Sequence, residues 1–488
     1  MPLRLAALVT ELDREGLRVE VVGEGDPVLE GAAQDSRAVR KGDLFLAWAG
    51  TAFDANDAVE EAARAGAVAA VVERVTPGLS IPQLLVRDGR RAAALAAARV
   101  YGAPADALHL VGITGTNGKT TTALLTRALL SSAGPSAAIG TLGLVQPDGR
   151  VRPGTEALTT PGPVELARWM RALVDEGVRS VAMEVSSHAL EQRRVDGLRF
   201  AAAVFTNLTQ DHLDYHPTLE AYVAAKARLA TLLRPDGWAV VNAAEPAFAS
   251  VRSGARVRTF GCEVPADLTA TDLALDATGS RFHLRWQGTS AAVHLPLLGR
   301  FNVENALGAA AVALLAGLDL ADVATGLDAA PQVPGRLERV VDHPCPVLLD
   351  YAHTPDALDN VLETLRPLTR GRLIVLFGAG GDRDPGKRPR MAEAAARWAD
   401  LVVVTSDNPR TEDPDAIIDQ ILPGIGTASY ERITDRTAAI GRVLDLARPD
   451  DLVVLAGKGH EQYQVIGREK RPFDERALVL AHLGRAGA

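Results

Sequence analysis

The stretch Leu108-His109-Leu110-Val111-Gly112-Ile113-Thr114-Gly115-Thr116-Asn117-Gly118-Lys119-Thr120 constrains this chain more than any other. An apolar strand-like run ends in a glycine-rich turn, and a helical pattern over residues 120–131 follows at once. In that order, successive backbone N–H groups and a helix N-terminus can cradle phosphate oxygens. Lys119 can then neutralise the β and γ phosphates of a nucleotide, and Thr120 can hold Mg²⁺. The spacing is not the strict Walker form, which would place glycine where Ile113 stands. A plain glycine-rich turn is the competing reading, and the preceding strand, the Lys-Thr pair and the helix weigh against it.

The rest of the chain repeats the alternation of strand and helix, so an α/β fold is expected. A chain of 488 residues corresponds to about three domains at roughly 100–200 residues each. Punctuation near Pro104 and Val333 sets the boundaries at 1–103, 104–332 and 333–488. The first segment alternates a strand at 44–47, a helix at 58–65, an apolar strand at 67–72 and a helix at 89–101. The central segment adds buried strands at 180–185 and 201–206, both ending in polar residues, as open parallel sheets do where they bind ligands. The third carries strands at 347–350, 373–377, 401–405 and 452–456, forming a sheet of its own. With only 10 Phe, 5 Trp and 6 Tyr, the cores rest on Ala, Val and Leu.

Composition excludes several function classes. The net charge of −9 is spread without a long single-sign run, against a nucleic-acid coat or a polybasic membrane surface. The longest uncharged apolar stretch, residues 306–318, falls short of the 18 or more that a bilayer span takes. Glu11 and Asp13 interrupt the first apolar run, so no secretory leader is expected. Cys262 and Cys345, alone and far apart, suggest neither disulfide framework nor zinc cluster, and point to a reducing cytoplasm.

Polar clusters stand just beyond the central strands: Glu184-Val185-Ser186-Ser187-His188, and residues 207–216 with His212 and His216. They bring hard oxygen donors and an imidazole toward the edge where Gly118 lies, and Glu184 and His212 are candidate magnesium ligands. Ordinary loop histidines are the bland alternative.

These motifs, with Gly299-Arg300-Phe301-Asn302-Val303-Glu304-Asn305 and Asp350-Tyr351-Ala352-His353-Thr354-Pro355, stand in the order found in the Mur ligases, a family the whole chain resembles. Mur ligases are ATP-dependent enzymes that add amino acids to the UDP-N-acetylmuramoyl peptide of the bacterial cell wall. The resemblance implies a small uridine-binding α/β domain, a central phosphate-loop parallel-sheet ATPase domain and a C-terminal Rossmann-like α/β domain. Asp35-Ser36-Arg37, Gly380-Gly381-Asp382-Arg383, Asp407-Asn408-Pro409-Arg410 and Gly457-Lys458-Gly459-His460-Glu461 are similar to the members that add meso-diaminopimelate to UDP-N-acetylmuramoyl-L-alanyl-D-glutamate.

By resemblance, ATP meets Gly115, Thr116, Asn117, Gly118, Lys119, Thr120 and Thr121, then Asn302, Asn305, Arg336, Asp350 and His353. Two Mg²⁺ are implied, with Thr120, Glu184, His212 and a carbamate on Lys226 as ligands. Lys119, Glu184, His212 and Lys226 would carry the chemistry. An unmodified Lys226 paired with a carboxylate is the plain alternative, as are a capping Asp350 and a buried His353. Ser36, Thr159, Thr160, Ser186, Gln192 and Arg194 match substrate-contacting positions, a surface role for Gln192 and Arg194 being the ordinary alternative. Arg383, Asp407, Asn408, Arg410, Gly457 and Glu461 match the amino-acid site. A second carboxylate on the incoming amino acid calls for a planar bidentate cation, the role given to Arg410.

Two departures stand out. Leu158 replaces an Asn common before Thr159-Thr160, and Asp54-Ala55-Asn56-Asp57 replaces a Gly-His form, so contacts to sugar and uridine differ. L-lysine or L-ornithine remain alternative amino acids. A folylpolyglutamate synthetase would lack the first domain, and a non-catalytic nucleotide-binding module would more readily have lost Lys119, Glu184 or His212. A monomer that closes on its ligands is expected.

Overall fold

The computed structural model describes residues 3–17, 19–50, 53–154, 158–208, 215–249, 251 and 256–486. The chain divides into two compact units, one of Met1–Thr269, Arg285–Ser290 and Glu304–Val323, the other of Ala270–Leu284, Ala291–Val303 and Ala324–Ala488. The expected α/β class is what stands.

Two sheets of the first unit position the site. In the smaller, Glu20–Val22, Gln83–Leu85, Ala69–Val72, Asp43–Leu46 and Gly31–Ala33 lie side by side in that order, parallel except at the first pair. In the larger, Ser136–Gly140, Ser180–Glu184, His109–Thr114, Phe200–Phe205, Leu233–Asn242 and Arg256–Cys262 run parallel. Their apolar runs are buried on both faces, as parallel strands covered by helices must be. Leu110, Ile139, Val181, Phe200, Phe205 and Trp169 meet in one core. Leu268–Asp276, Gly279–Trp286 and Thr289–Leu295, most of whose residues belong to the second unit, follow one another in sheet order. Ser280, Phe282 and Leu284 are buried while the residues between them are exposed, a period of two that was present in the sequence.

The second unit is built on Glu338–Val341, Val347–Asp350, Leu452–Ala456, Leu373–Phe377, Leu401–Val404 and Tyr430–Arg432, parallel except for the antiparallel first edge. Four neighbouring strands therefore end at one edge, and their loops carry Tyr351 to His353, Gly457 to Glu461, Gly378 to Arg383 and Asp407 to Arg410. Side-chain caps start several helices: Thr354 accepts from Ala357 N–H ahead of Pro355–Leu365, and Asp413 accepts from Asp415 and Ala416 ahead of Pro414–Ile421. Residues 306–315 belong to the helix Arg300–Leu315, whose alanines are buried. No helix among the described residues is long and apolar enough to cross a membrane.

Candidate active site

The strand His109–Thr114 ends in the phosphate loop, and Gly118, at φ +82°, caps the helix Lys119–Leu130. Gly115 is obligatory because a Cβ there would lie 1.9 Å from Thr206 Oγ1. Asn207 latches the loop: its carbonyl accepts from Thr116 N–H at 2.9 Å, and its Oδ1 accepts from Asn117 N–H at 2.8 Å. Lys119 Nζ lies on the carbonyls of Gly115 and Thr116, at 3.0 and 2.7 Å. Lys226, 1% exposed on the helix Leu219–Ala227, donates to the same Gly115 carbonyl at 2.7 Å and packs over the Tyr222 ring. Thr116 and Asn117 thus sit in a loop pinned from three sides, with Thr120 and Thr121 buried in the first helical turn. Asn305 packs against Gly118, with its Oδ1 3.4 Å from the Thr122 hydroxyl.

Glu184 ends its strand 2% exposed, accepting from Thr141 N–H at 2.8 Å and from the Thr141 hydroxyl at 3.2 Å. It shares a cavity of about 10 Å³ with Thr120, room for about one water-sized species. A hydroxyl and a carboxylate are hard oxygen donors of the kind Mg²⁺ takes, so these two residues fit it. Among the described residues no group of three His, Cys, Asp or Glu side chains forms a further metal centre. His212 lies outside the described residues.

The candidate substrate residues next to Glu184 form one network. Thr160 Oγ1 donates to the Glu184 carbonyl and accepts from Ser186 N–H, both at 3.0 Å, and Thr159 meets the Thr141 hydroxyl at 3.4 Å. Arg194 donates to Gln192 Oε1 at 2.6 Å and to the Thr160 carbonyl at 2.9 Å. Gln192 Nε2 donates to the Tyr215 hydroxyl at 3.0 Å, and that hydroxyl donates to Glu191 at 2.5 Å. Ser36 stands apart from this network, bonded to Glu61 at 3.0 Å.

In the second unit, Lys458 is fully buried and donates to Asp407, Asn408 and Glu461 at 3.4, 3.1 and 3.1 Å. Asn408 Nδ2 also donates to Glu461 at 2.9 Å. Burial pushes the Asp407 carboxyl up, but the Lys458 ammonium and the Arg436 guanidinium outweigh it and hold it below the usual range. Arg436 makes a buried ion pair with Glu475 at 2.7 Å and donates to the carbonyls of Ala456 and Ser406, which tethers the strand end before Gly457 to the loop before Asp407.

Arg410 has a left-handed backbone at φ +53°, held by Arg410 N–H to Val465 O at 3.0 Å and Gly467 N–H to Arg410 O at 2.7 Å. One guanidinium nitrogen donates to the Gly381 carbonyl at 2.7 Å. A Cβ on Gly381 would fall 1.9 Å from the Pro409 carbonyl, so only glycine lets the two loops touch. Buried Arg388 clamps the same pair of loops through Glu412, at 2.9 Å from both carboxylate oxygens, and Glu412 accepts from Asp382 N–H. Arg383 is exposed.

Of the nucleotide candidates here, Asp350 is buried with both oxygens taken by backbone N–H groups, from Leu337 at 2.7 Å and Ala352 at 2.8 Å. Burial nonetheless raises its pKa. Its clear duty is to fix the loops beside it. Arg336 stacks on Tyr351, and His353 Nδ1 donates to the Tyr351 carbonyl at 2.7 Å. Asn302 is 1% exposed and donates to Leu298 O at 2.9 Å. His460 faces Tyr351, and burial, with Arg336 nearby, takes its imidazole down to about 4. Lys458, Arg436, Arg388 and Asn207 are functional neighbours that the sequence alone did not single out.

One unit carries a phosphate loop on a parallel sheet and the other gathers carboxylates and cations at its strand ends, features that together mark a nucleotide-dependent enzyme. Residues 113–313 match the Mur ligase middle domain, and 335–459 match the Mur ligase glutamate ligase domain. The UDP-N-acetylmuramoyl-L-alanyl-D-glutamate--2,6-diaminopimelate ligase of Geobacter metallireducens is 47% identical, covering 93% of this chain and 94% of that protein. The protein of the same name from Geobacillus kaustophilus is 42% identical over 95% and 96%. A solved structure of a ligase of that name matches at TM-score 0.72 and 34% identity, over 100% of both chains. The folylpolyglutamate synthase of Mycobacterium tuberculosis shares the fold at TM-score 0.60 and 22% identity, over 75% of this chain and 92% of its own. This chain belongs to the Mur ligase family.

Proposed function

We propose that this chain joins meso-diaminopimelate to UDP-N-acetylmuramoyl-L-alanyl-D-glutamate at the expense of ATP. The observation that carries the amino acid is Arg410, held by a strained, doubly hydrogen-bonded backbone. Only one of its guanidinium nitrogens is hydrogen-bonded among the described residues. The rest of that planar fork suits a carboxylate. Glu461, locked by Lys458 and Asn408, suits an ammonium group, with Asp407, Gly457 and Arg383 completing the site.

The D-glutamyl carboxylate attacks the γ-phosphorus of ATP, the bridging P–O bond breaks, and ADP leaves an acyl phosphate. The amine of diaminopimelate then attacks the acyl carbon, phosphate departs, and the ammonium proton goes to solvent or a nearby base. Lys119 and the N–H groups of residues 118–121, at the start of the helix, bind the transferring phosphoryl group, whose charge they are positioned to offset, while Thr116 and Asn117 keep the loop in shape through Asn207. Asn302, Asn305, Arg336 and His353 are assigned to the nucleotide, with Asp350 acting indirectly by fixing the loops that carry Arg336 and His353 through Leu337 and Ala352. Thr120, Glu184, His212 and a carbamate on Lys226 would hold two Mg²⁺, which when bound neutralise phosphate charge. Ser36, Thr159, Thr160, Ser186, Gln192 and Arg194 are assigned to the UDP-sugar peptide, and the division of labour follows 1–103, 104–332 and 333–488. We assign the reaction to the cytoplasm, a reading supported by two cysteines that are both free.

The test is phosphate release with purified chain, ATP, Mg²⁺, the UDP-dipeptide and, in parallel, meso-diaminopimelate, L-lysine or L-ornithine. Release with diaminopimelate alone supports the assignment, and turnover only with lysine or ornithine would refute the amino acid.

A further inference from the structure

A cavity of about 220 Å³ opens in the first unit, lined in part by Gln34, Trp48, Arg90, Leu158, Gln192 and Arg194. Its lining contains two arginines and no acidic residue. Arg194 is engaged with Gln192 and Thr160. Arg90 is half-buried and, among the described residues, has neither a hydrogen bond nor an ion pair. Gln34 Oε1 is buried and has no hydrogen-bond partner among those residues. A half-buried guanidinium that borders an open cavity and has no ion-pair partner among the described residues is available to an anionic ligand.

The wall is built rather than incidental. Glu73 accepts from Ala49 N–H with one oxygen and from Gly89 N–H with the other, each at 2.8 Å. It thereby joins the loop bearing Trp48 to the first turn of Gly89–Val100, on which Arg90 stands. Asn56 Oδ1 accepts from Glu73 N–H at 2.9 Å, and Asp54 in turn holds Asn56 at 2.7 Å. The segment 54–57, an unusual one for this family, is therefore the buttress of that wall. Leu158, the other departure, lines the same cavity and offers no hydrogen bond.

We propose that Arg90 binds an anionic group of the UDP-sugar peptide, in place of the polar contact that Leu158 cannot make. This rests on the substrate proposed above. Two anions of that molecule have the needed chemistry, the diphosphate and the α-carboxylate of the D-glutamyl residue.

The experiment is calorimetric binding of UDP-N-acetylmuramoyl-L-alanyl-D-glutamate and of UDP-N-acetylmuramoyl-L-alanine to wild type, Arg90→Ala and Arg90→Lys, with KM for ATP and diaminopimelate measured alongside. Loss of one charge-assisted contact should weaken the full substrate by about 10- to 100-fold in Arg90→Ala, with partial recovery in Arg90→Lys. The other two KM values should stay within about twofold, a split that general misfolding would not give. Equal weakening of the shorter ligand assigns the diphosphate, and unaffected binding of it assigns the D-glutamyl carboxylate. Unchanged binding of the full substrate by Arg90→Ala overturns the proposal. A wild-type chain that binds neither ligand overturns the substrate assignment itself, and the proposal with it.

Discussion

Lys226 and Lys458 are both buried, 1% and 0% exposed, yet they are held differently. Lys226 reaches a main-chain carbonyl of the phosphate loop and the face of Tyr222. Lys458 is ringed by Asp407, Asn408 and Glu461. Lys458 is a structural cation that fixes the groups around it, whereas the contact of Lys226 with the phosphate loop underlies the role proposed for it above. Burial alone therefore says little about role.

Substitutions at each lysine sharpen the contrast. Lys226→Met should lower turnover on the order of 10³-fold, as loss of a preorganised charge-handling group does. Carbon-13 NMR in ¹³C-bicarbonate should show a carbamate resonance in wild type that Lys226→Arg lacks, and its absence from wild type would refute carbamylation. Lys458→Met leaves buried carboxylates without their cation, which should cost about 3–5 kcal/mol in urea unfolding. It should also raise KM for diaminopimelate more than KM for ATP.

A smaller effect concerns pH. His460 titrates near 4 in the folded chain, below the ordinary histidine value of 6.5, so the folded state favours the neutral ring. Its contribution is fully present above pH 6.5 and is lost as pH falls toward 4, by about 3 kcal/mol at most. His460→Gln should flatten the acid limb of the stability curve over that window, and an unchanged acid limb would contradict the reading. The smallest effect is expected at Arg410: Arg410→Ala should narrow the preference for diaminopimelate over lysine by about 10- to 100-fold in kcat/KM.

The phosphate loop was legible because its chemistry is written in consecutive residues, from Gly115 to Thr121, between a strand and a helix. The strand-end loops of the second unit were legible for the same reason. What escaped was the cross-chain support. Asn207 pins Asn117 from 90 positions away, and Arg436 sits in an alanine-containing helix with nothing local to show that it bridges Ser406 and Ala456. Lys458 lies inside a quoted motif, yet its role depends on Asp407, 51 residues earlier. The strand Gly279–Trp286 alternates with period two, a signal that the sequence carries. Arg90 became visible only through the cavity it lines.

The most direct measurement of the central claim is phosphate release with UDP-N-acetylmuramoyl-L-alanyl-D-glutamate, offered each diamino acid in turn, for wild type and Arg410→Ala. Release by wild type with meso-diaminopimelate, and a narrowed preference in the variant, is the expected result. Turnover with lysine or ornithine in preference to diaminopimelate, or no turnover with any of the three, would contradict the account.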